Sequence, residues 1–429
     1  MIKSLFRRIK GIDIIKVFSL NALSTLVRML AGMVSVKIVA IIIGPAGIAL
    51  LGQLNNFNTI LLGLANGGIG SGVTKYVAEY KNDENVIKSY LSNALKITLV
   101  CSSLVAIGLI VGCGQLSQLI LMSDEYYYVF IIFGITIFLY TLNTLFIAIV
   151  NGYKQFKRYV TINIAGTIIG LIYSVTLVFF LGLPGALINA VTFQSIVFFI
   201  TIWMCRKFRW MRWEYFKEKF NRPIVKKYLG YSLMTIVSIA LLPISQMLLR
   251  GYVISELSAS EAGIWEGMNR ISNMYLSVIT SAFSVYYLPR LSEISNPEEL
   301  HNEVSKCYKV IIPMFLCVGT IIFFLRHFIL WVLFTPDFAP MEHLFIWQLT
   351  GDLFKICSWL LSFIMVAKAR TKLFITIETV FTLLYVFMCF FFLKHNGIVG
   401  LTQGYLCNYI LYMIVLALLF KDVIKPQKI

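Results

Sequence analysis

The chain predicts an all-α integral membrane protein with twelve transmembrane helices in two pseudo-symmetric six-helix bundles. Three observations carry that prediction. Of its 429 residues, 59% are hydrophobic and 13% charged, whereas soluble domains carry about 25% charged residues; the mean hydropathy is +0.82. Twelve stretches meet the requirement of about 20 mostly apolar residues per span: 14–43, 47–74, 89–113, 126–150, 159–181, 184–205, 228–254, 262–288, 307–332, 342–367, 373–393 and 398–420. The most basic loop, RKFRWMRWEYFKEKFNRPIVKK, falls after the sixth of these. It divides the chain into a bundle over 1–205, a linker over 206–227 and a second bundle over 228–429.

The N-terminal MIKSLFRRIKG has the charge of a signal-peptide basic region, but the apolar stretch after it does not fit. Val17 to Ile43 is longer than the 7–15 residues of a signal core, carries Arg28 and Lys37, and has no AxA cleavage site. It is expected to be a retained first span. The turn Gly44-Pro45-Ala46-Gly47 leads to a second span rich in amides, with Gln53, Asn55, Asn56, Asn58 and Asn66 before the glycine run GGIGSG.

Basic residues in loops set orientation. The N-terminus, 75–88, 151–158, 206–227, 289–309, 368–372 and the tail from Lys421 hold 28 of the 37 Lys and Arg residues, while the opposite set has one clear case, Lys394. Both termini are therefore expected in the cytoplasm. The same asymmetry accounts for most of the net charge of +17, which argues against nucleic acid as a partner. In the linker, Trp210, Trp213, Tyr215 and Phe216 among the cations suit a segment lying against anionic lipid headgroups. The eight cysteines lie in or beside apolar segments with no CxxC pair, and the four histidines are scattered. No metal site or cofactor is expected. A faint repeat pairs Ala46-Gly47-Ile48 with Ala262-Gly263-Ile264, and Gly72-Val73 with Ser284-Val285. With the midpoint linker it suggests two parallel repeats about an axis along the membrane normal.

A charge near mid-bilayer costs at least about 2.5–3.5 kcal/mol, so deep polar residues are the candidates for function. In span one, Asn21, Ser24, Arg28, Gly32 and Ser35 share a stripe, and Arg28 lies about 20 Å along the helix from Ile14. Lys37 is nine residues on, about half a turn round the helix, so it faces the same cavity only if the helix bends at Gly32. Span two presents Gly52, Asn56, Thr59, Gly63, Asn66 and Gly70 on one face, suited to close packing and to a wet wall alike. Span seven ends with Gln246 and Arg250 below Pro243. Span eight carries Glu266, Asn269, Arg270 and Asn273, with Glu266 and Arg270 in the favourable i,i+4 order for an ion pair. Span ten has Gln348, Asp352, Lys355, Trp359 and Ser362 on one face, where Asp352 and Lys355 can pair at i,i+3; Glu378 stands alone in span eleven. Lys16, Lys96 and Arg326 lie near helix ends, where cations snorkel. The remaining deep cations predict a cleft that attracts a diphosphate, with Arg28, Lys37, Asn56, Asn66, Arg250, Arg270 and Lys355 as substrate-binding candidates. Asp352, Glu266 and Glu378 are the ion-coupling candidates.

Four stretches, GPAGIALLGQ, GVTKYVAEY, AGIWEGMNRISNMYLSVITSAFSVYYLPRLS and FIWQLTGDLFKICSWLLSFIMVAKAR, resemble the Wzx-type flippases of bacterial surface-polysaccharide synthesis, close to the lipid III and O-antigen flippases. The resemblance implies the MOP exporter fold of two six-helix bundles around a central cavity, in the bacterial inner membrane. It implies an undecaprenyl-diphosphate-linked oligosaccharide as substrate, moved from the cytoplasmic to the periplasmic leaflet, with membrane lipids, a polysaccharide polymerase and a chain-length regulator as partners. The cation at Arg28 matches the family, as do Lys37, Arg250, Asp352, Lys355 and Lys368. Arg270 and Glu266 depart from it, since a small polar residue and Gln are common there. That departure favours an O-antigen repeat unit over lipid III.

Two other classes compete. A cation-coupled drug antiporter shares the fold but wants an acidic, aromatic cavity, whereas cations prevail here. A polysaccharide polymerase or glycosyltransferase needs a sizeable exposed catalytic loop, while the predicted outer loops reach about a dozen residues at most.

Overall fold

The computed structural model describes residues 2–294, 296–368 and 370–424; the side chains of 2–22, 424 and some positions within 231–238 and 282–285 lie outside that description. Lys16, Asn21 and the Ser284-Val285 half of the faint repeat therefore fall outside it. The described chain is α-helical, with short 3₁₀ turns and one π turn. Nine of its helices are long and apolar enough to cross a membrane, and the chain is a multi-pass membrane protein.

The first helix, α1 (Ile2–Ala65), is two helices joined at Gly44, whose φ of 62° and ψ of −172° lie outside helical geometry. This is the predicted GPAG turn. No other position inside α1 leaves helical geometry, so there is no helix break at Gly32. The second span stops short of the predicted residue 74. Gly67 and Gly68 both take positive φ, 62° and 63°, a conformation that side chains with a Cβ resist. The helix ends at Ala65 and restarts as α2 (Gly70–Tyr80).

Then follow α3 (Glu84–Val111), α4 (Cys113–Leu121), α5 (Tyr127–Gly152), α6 (Phe156–Leu181), α7 (Leu183–Cys205) and α8 (Arg222–Glu256), the last with Pro243 inside it. Beyond these come α9 (Ala259–Ala282), α10 (Leu288–Glu293), α11 (Pro297–Phe324), α12 (Arg326–Leu333), α13 (Phe345–Ala367), α14 (Thr371–Asn396) and α15 (Ile398–Leu419). The predicted span 307–332 is thus two helices. The segment 325–344, with α12 and a 3₁₀ run over Pro336–Leu344, is longer than the outer loops were expected to be.

The chain divides into two compact units, Met1–Ile42 with Gln53–Pro243, and Ile43–Gly52 with Ile244–Ile429. The divisions fall at the Gly44 break, one helical turn beyond Ala49, and at Pro243. The linker and the first half of α8 therefore pack with the first unit. In that unit α5 packs on α7 and α3, and α6 packs on α7. Its core gathers Tyr76, Tyr90, Phe146, Phe198, Trp210 and Tyr228. Large apolar side chains on the outside, such as Val111 at 82% and Phe179 at 71% exposed, would be an aggregation hazard in water and are solvated by lipid tails.

The linker corrects its prediction. Trp210, Tyr215 and Phe216 are buried in the first unit's core, and only Trp213 of the four rings is exposed. The α3 helix supplies the ties. Ser92 Oγ lies 2.8 Å from the Glu218 carbonyl and 3.0 Å from that of Phe216, sharing its one hydrogen between them, the Asn221 amide donates to Asn93 Oδ1 at 2.9 Å, and Arg209 pairs with Glu84 at 3.0 Å. Lys96 Nζ donates to the Glu218 carbonyl. Burial pushes the Tyr215 phenol above its ordinary pKa, with the Glu84 carboxylate adding to it. Rings that lose more apolar surface to a protein core than to an interface will turn inward, and a period-free sequence does not show which core is available.

In the second unit α15 packs between α13 and α14. One core joins Ala49, Leu249, Ala262, Trp265, Tyr385 and Leu401, and another joins Phe283, Tyr287, Leu360 and Phe381. The two Ala-Gly-Ile sequences meet in it. A Cβ on Gly263 would lie 1.8 Å from the Pro45 carbonyl oxygen, so the GPAG turn seats directly on the start of α9.

Candidate functional site

Arg28, Gly32 and Ser35 of the predicted span-one stripe line one cavity of about 570 Å³ inside the first unit. Its other walls are α6, through Asn163, Thr167 and Ser174, and α7, through Asn189, Phe193 and Gln194. Arg28 is exposed. Among the described residues it makes no ion pair or hydrogen bond, and no Asp or Glu lines the cavity. The guanidinium stands about 24 Å along α1 from the break at Gly44, too far to reach that end of the span. The guanidinium's fork of donors matches the geometry of planar or tetrahedral oxyanions.

The remaining predicted contacts divide differently. Lys37 is partly buried and does not line this cavity, in keeping with a helix that stays unbroken at Gly32. Asn56 is partly buried and also lies off the cavity wall. Asn66 Nδ2 donates back to the Leu62 carbonyl at 2.9 Å, and Asn58 Nδ2 donates to the Ala190 carbonyl at 3.1 Å. The amide ladder of span two thus serves in part to join helices, as polar residues do in lipid.

In the second unit, Arg250 Nη2 lies 2.5 Å from Glu266 Oε2, and Arg270 Nε lies 3.2 Å from Glu266 Oε1. Arg250 is fully buried. One carboxylate between two guanidiniums makes a compact network with a single net positive charge. The expected pair of Glu266 with Arg270 is present, and Arg250 joins it from α8.

Asp352 on α13 is fully buried. Its Oδ2 accepts from Ser272 Oγ at 2.7 Å and from the Tyr275 hydroxyl, both on α9. Its Oδ1 accepts from Tyr405 of α15 at 2.6 Å, and Gln348 Nε2 is 3.4 Å away. The predicted i,i+3 pair with Lys355 does not form. Lys355 Nζ lies over three rings instead, 5.2 Å from the centroid of Trp359, 5.3 Å from Tyr405 and 5.2 Å from Tyr409, and no carboxylate lies within ion-pair distance of it among the described residues. Hydroxyls on neighbouring helices fill the carboxylate's acceptor positions, and the ammonium is held by ring quadrupoles. Glu378 of α14 accepts from the Tyr412 hydroxyl at 2.5 Å. Arg326, expected to snorkel, pairs with Glu342 at 3.0 Å over the Phe323 ring.

Sequence reasoning did not select Asn163, Asn189 or Gln194. Asn163 is the one amide side chain of α6, while Asn189 and Gln194 share α7, and only the packing of α6 and α7 beside α1 brings them together. The signal that existed was an amide at membrane depth in two consecutive spans.

A family model described as polysaccharide biosynthesis protein matches residues 14–295. The chain is similar to the lipid III flippases of Escherichia coli (strain K12) and Shigella flexneri, each 29% identical over 393 residues, 91% of this chain and 94% of theirs. Its fold is similar to that of an inward-facing multidrug resistance MATE family transporter of the MOP superfamily, with a TM-score of 0.72 at 14% identity over 94% of this chain and all of that one. A MOP superfamily transporter from Pyrococcus furiosus aligns with a TM-score of 0.58 at 12% identity, over 94% of this chain and 96% of that one. The fold is that of the MOP superfamily.

Proposed function

Because the chain belongs to the polysaccharide biosynthesis protein family, we propose that it is a flippase that carries a diphosphate-linked oligosaccharide on a polyprenyl lipid from the cytoplasmic to the periplasmic leaflet. The observation that carries this reading is Arg28, an unpaired cation lining a neutral polar cavity. The likeness to lipid III flippases over nine-tenths of both chains supports it. The diphosphate is held at Arg28, the saccharide occupies polar cavity, and the prenyl tail remains in lipid. Lys355 belongs to the second unit and has no carboxylate within ion-pair distance among the described residues. Arg250 and Arg270 act through the field they share with Glu266. Alternating exposure of the site to the two leaflets completes the cycle, and the repeat unit delivered outside is of O-antigen or enterobacterial-common-antigen type.

Asp352 is the residue proposed to couple transport to a cation, a proton or Na⁺. A buried carboxylate ringed by hydroxyls on α9 and α15 gains or loses a cation only by rearranging those helices, which is what coupling requires. Glu266 is engaged by two arginines, one on each oxygen. A cation antiporter is disfavoured, since the Arg28 cavity has no carboxylate.

Deleting the gene in its host tests the assignment. Undecaprenyl-linked oligosaccharide should accumulate on the cytoplasmic face, and the wild-type gene should clear it while Arg28→Ala, inserted at normal levels, does not. Surface polysaccharide made normally by the Arg28→Ala strain overturns the reading.

A further inference from the structure

We propose that the α6–α7 wall of the Arg28 cavity reads the sugar bonded to the diphosphate, with Asn189, Asn163 and Gln194 as specificity-determining residues. The proposal rests on the flippase reading above and says which part of the substrate this wall recognises.

Hydrogen-bond sense sets what this wall can hold. Thr201 Oγ1 donates to Asn143 Oδ1 at 2.6 Å, which turns Asn143 Nδ2 toward Gln194, and Gln194 Oε1 accepts from it at 2.7 Å. The amide that Gln194 has left for the cavity is its Nε2 donor. Asn163 Nδ2 donates to the Tyr159 carbonyl at 2.9 Å, which leaves its Oδ1 acceptor and a second Nδ2 hydrogen. Asn189 Oδ1 is buried and has no hydrogen-bond partner. The wall therefore offers both donors and acceptors, all uncharged. A phosphate presents acceptors alone and leaves the Asn163 acceptor unmatched. Sugar hydroxyls donate and accept, and they match all three amides.

Shape agrees with polarity. Phe193 lies against Gly170, where an added Cβ would fall 2.0 Å from the ring, so the ring is pinned to α6 and lines the cavity with an apolar surface. A sugar ring has an apolar C–H face and a polar rim, and this wall pairs an aromatic surface with three amides. The cavity's volume of about 570 Å³ is within the range of small-ligand sites, about 300–1,000 Å³. Arg28 on the facing helix takes the phosphate that follows the sugar.

The experiment uses the full chain in lipid nanodiscs with two probes, farnesyl diphosphate and its ester carrying one hexose on the terminal phosphate. Wild type should bind the glycosylated probe about tenfold more tightly, the effect of one to two polar pairs. Asn189→Leu and Asn163→Leu should each erode that preference toward unity while binding of farnesyl diphosphate stays within about twofold. Asn189→Leu should also keep or raise the Tm, because it removes a buried acceptor without a partner; a residue with a structural role would lower it. An unchanged preference in both folded variants, or no preference in wild type, overturns the proposal. The parent reading is judged separately: it fails if Arg28→Ala still binds farnesyl diphosphate at wild-type strength.

Discussion

Glu266 illustrates how one side chain sets the balance of charge inside the second unit. Its carboxylate serves Arg250, which is fully buried, and Arg270. Removing one member of a buried ion pair leaves the other uncompensated, at about 3–5 kcal/mol. Glu266→Gln should therefore lower the Tm of the detergent-solubilised protein clearly, and Arg250→Met in the same chain should recover much of the loss. A double variant no more stable than Glu266→Gln alone would show that the pair does not hold this region together. Half of the network was legible in sequence, because residues four apart on one helix face each other. The other half was not, since Arg250 comes from a different helix and nothing local announces it. Asp352 and Lys355 fail in the opposite way. Their spacing allows a pair, but Ser272, Tyr275 and Tyr405 take the carboxylate and three rings take the ammonium. Local geometry offers an ion pair, and tertiary neighbours decide whether it forms.

At the scale of elements, turns were more legible than the fate of amphipathic segments. GPAG and GGIGSG interrupt helices for a backbone reason that any reader of the sequence can state. The linker's aromatic residues promised an interface and became core. Trp210 stacks with Tyr153 and Phe208, at 6.3 and 5.7 Å between ring centroids, and meets Phe146 edge-on at 5.8 Å. Trp210→Ala should cost about 3–5 kcal/mol and release the linker from α3. Because exposed Arg and Lys line this segment, trypsin should cut the variant between residues 206 and 222 faster than wild type; equal rates would mean the linker is held by its backbone ties alone. The GPAG turn makes a second element-scale prediction. Its seat on α9 has no room at Gly263, and the atom in the way is backbone. Gly263→Ala should destabilise by about 1–3 kcal/mol or more, against a small change for Gly70→Ala, where no atom lies within 4 Å. Comparable melting of the two variants would contradict the close seat.

At the scale of the whole molecule, composition and periodicity made the all-helical membrane class plain, and the midpoint linker suggested two halves. The unit boundaries fall at the Gly44 break, at Gly52 within unbroken helix and at Pro243, rather than at the linker. Hydropathy marks a helix such as α8 as one span and is blind to the boundary inside it. Orientation rests on a different property, the placement of cations. Of the loops, those at 75–88, 151–158, 206–227, 289–309 and 368–372 are basic, and the turns at Gly44, Gly182 and Gly397 have among them only Lys394 close by. The asymmetry predicts that a green fluorescent protein fused after Ile429 folds in the cytoplasm and fluoresces. Alkaline phosphatase inserted at Gly182 or Gly397 should be exported and active, while the same insertion at Lys154 should be silent. The reverse pattern would place Arg28's helix the other way up in the membrane, and a substrate loaded from the cytoplasm would then meet the opposite end of its cavity.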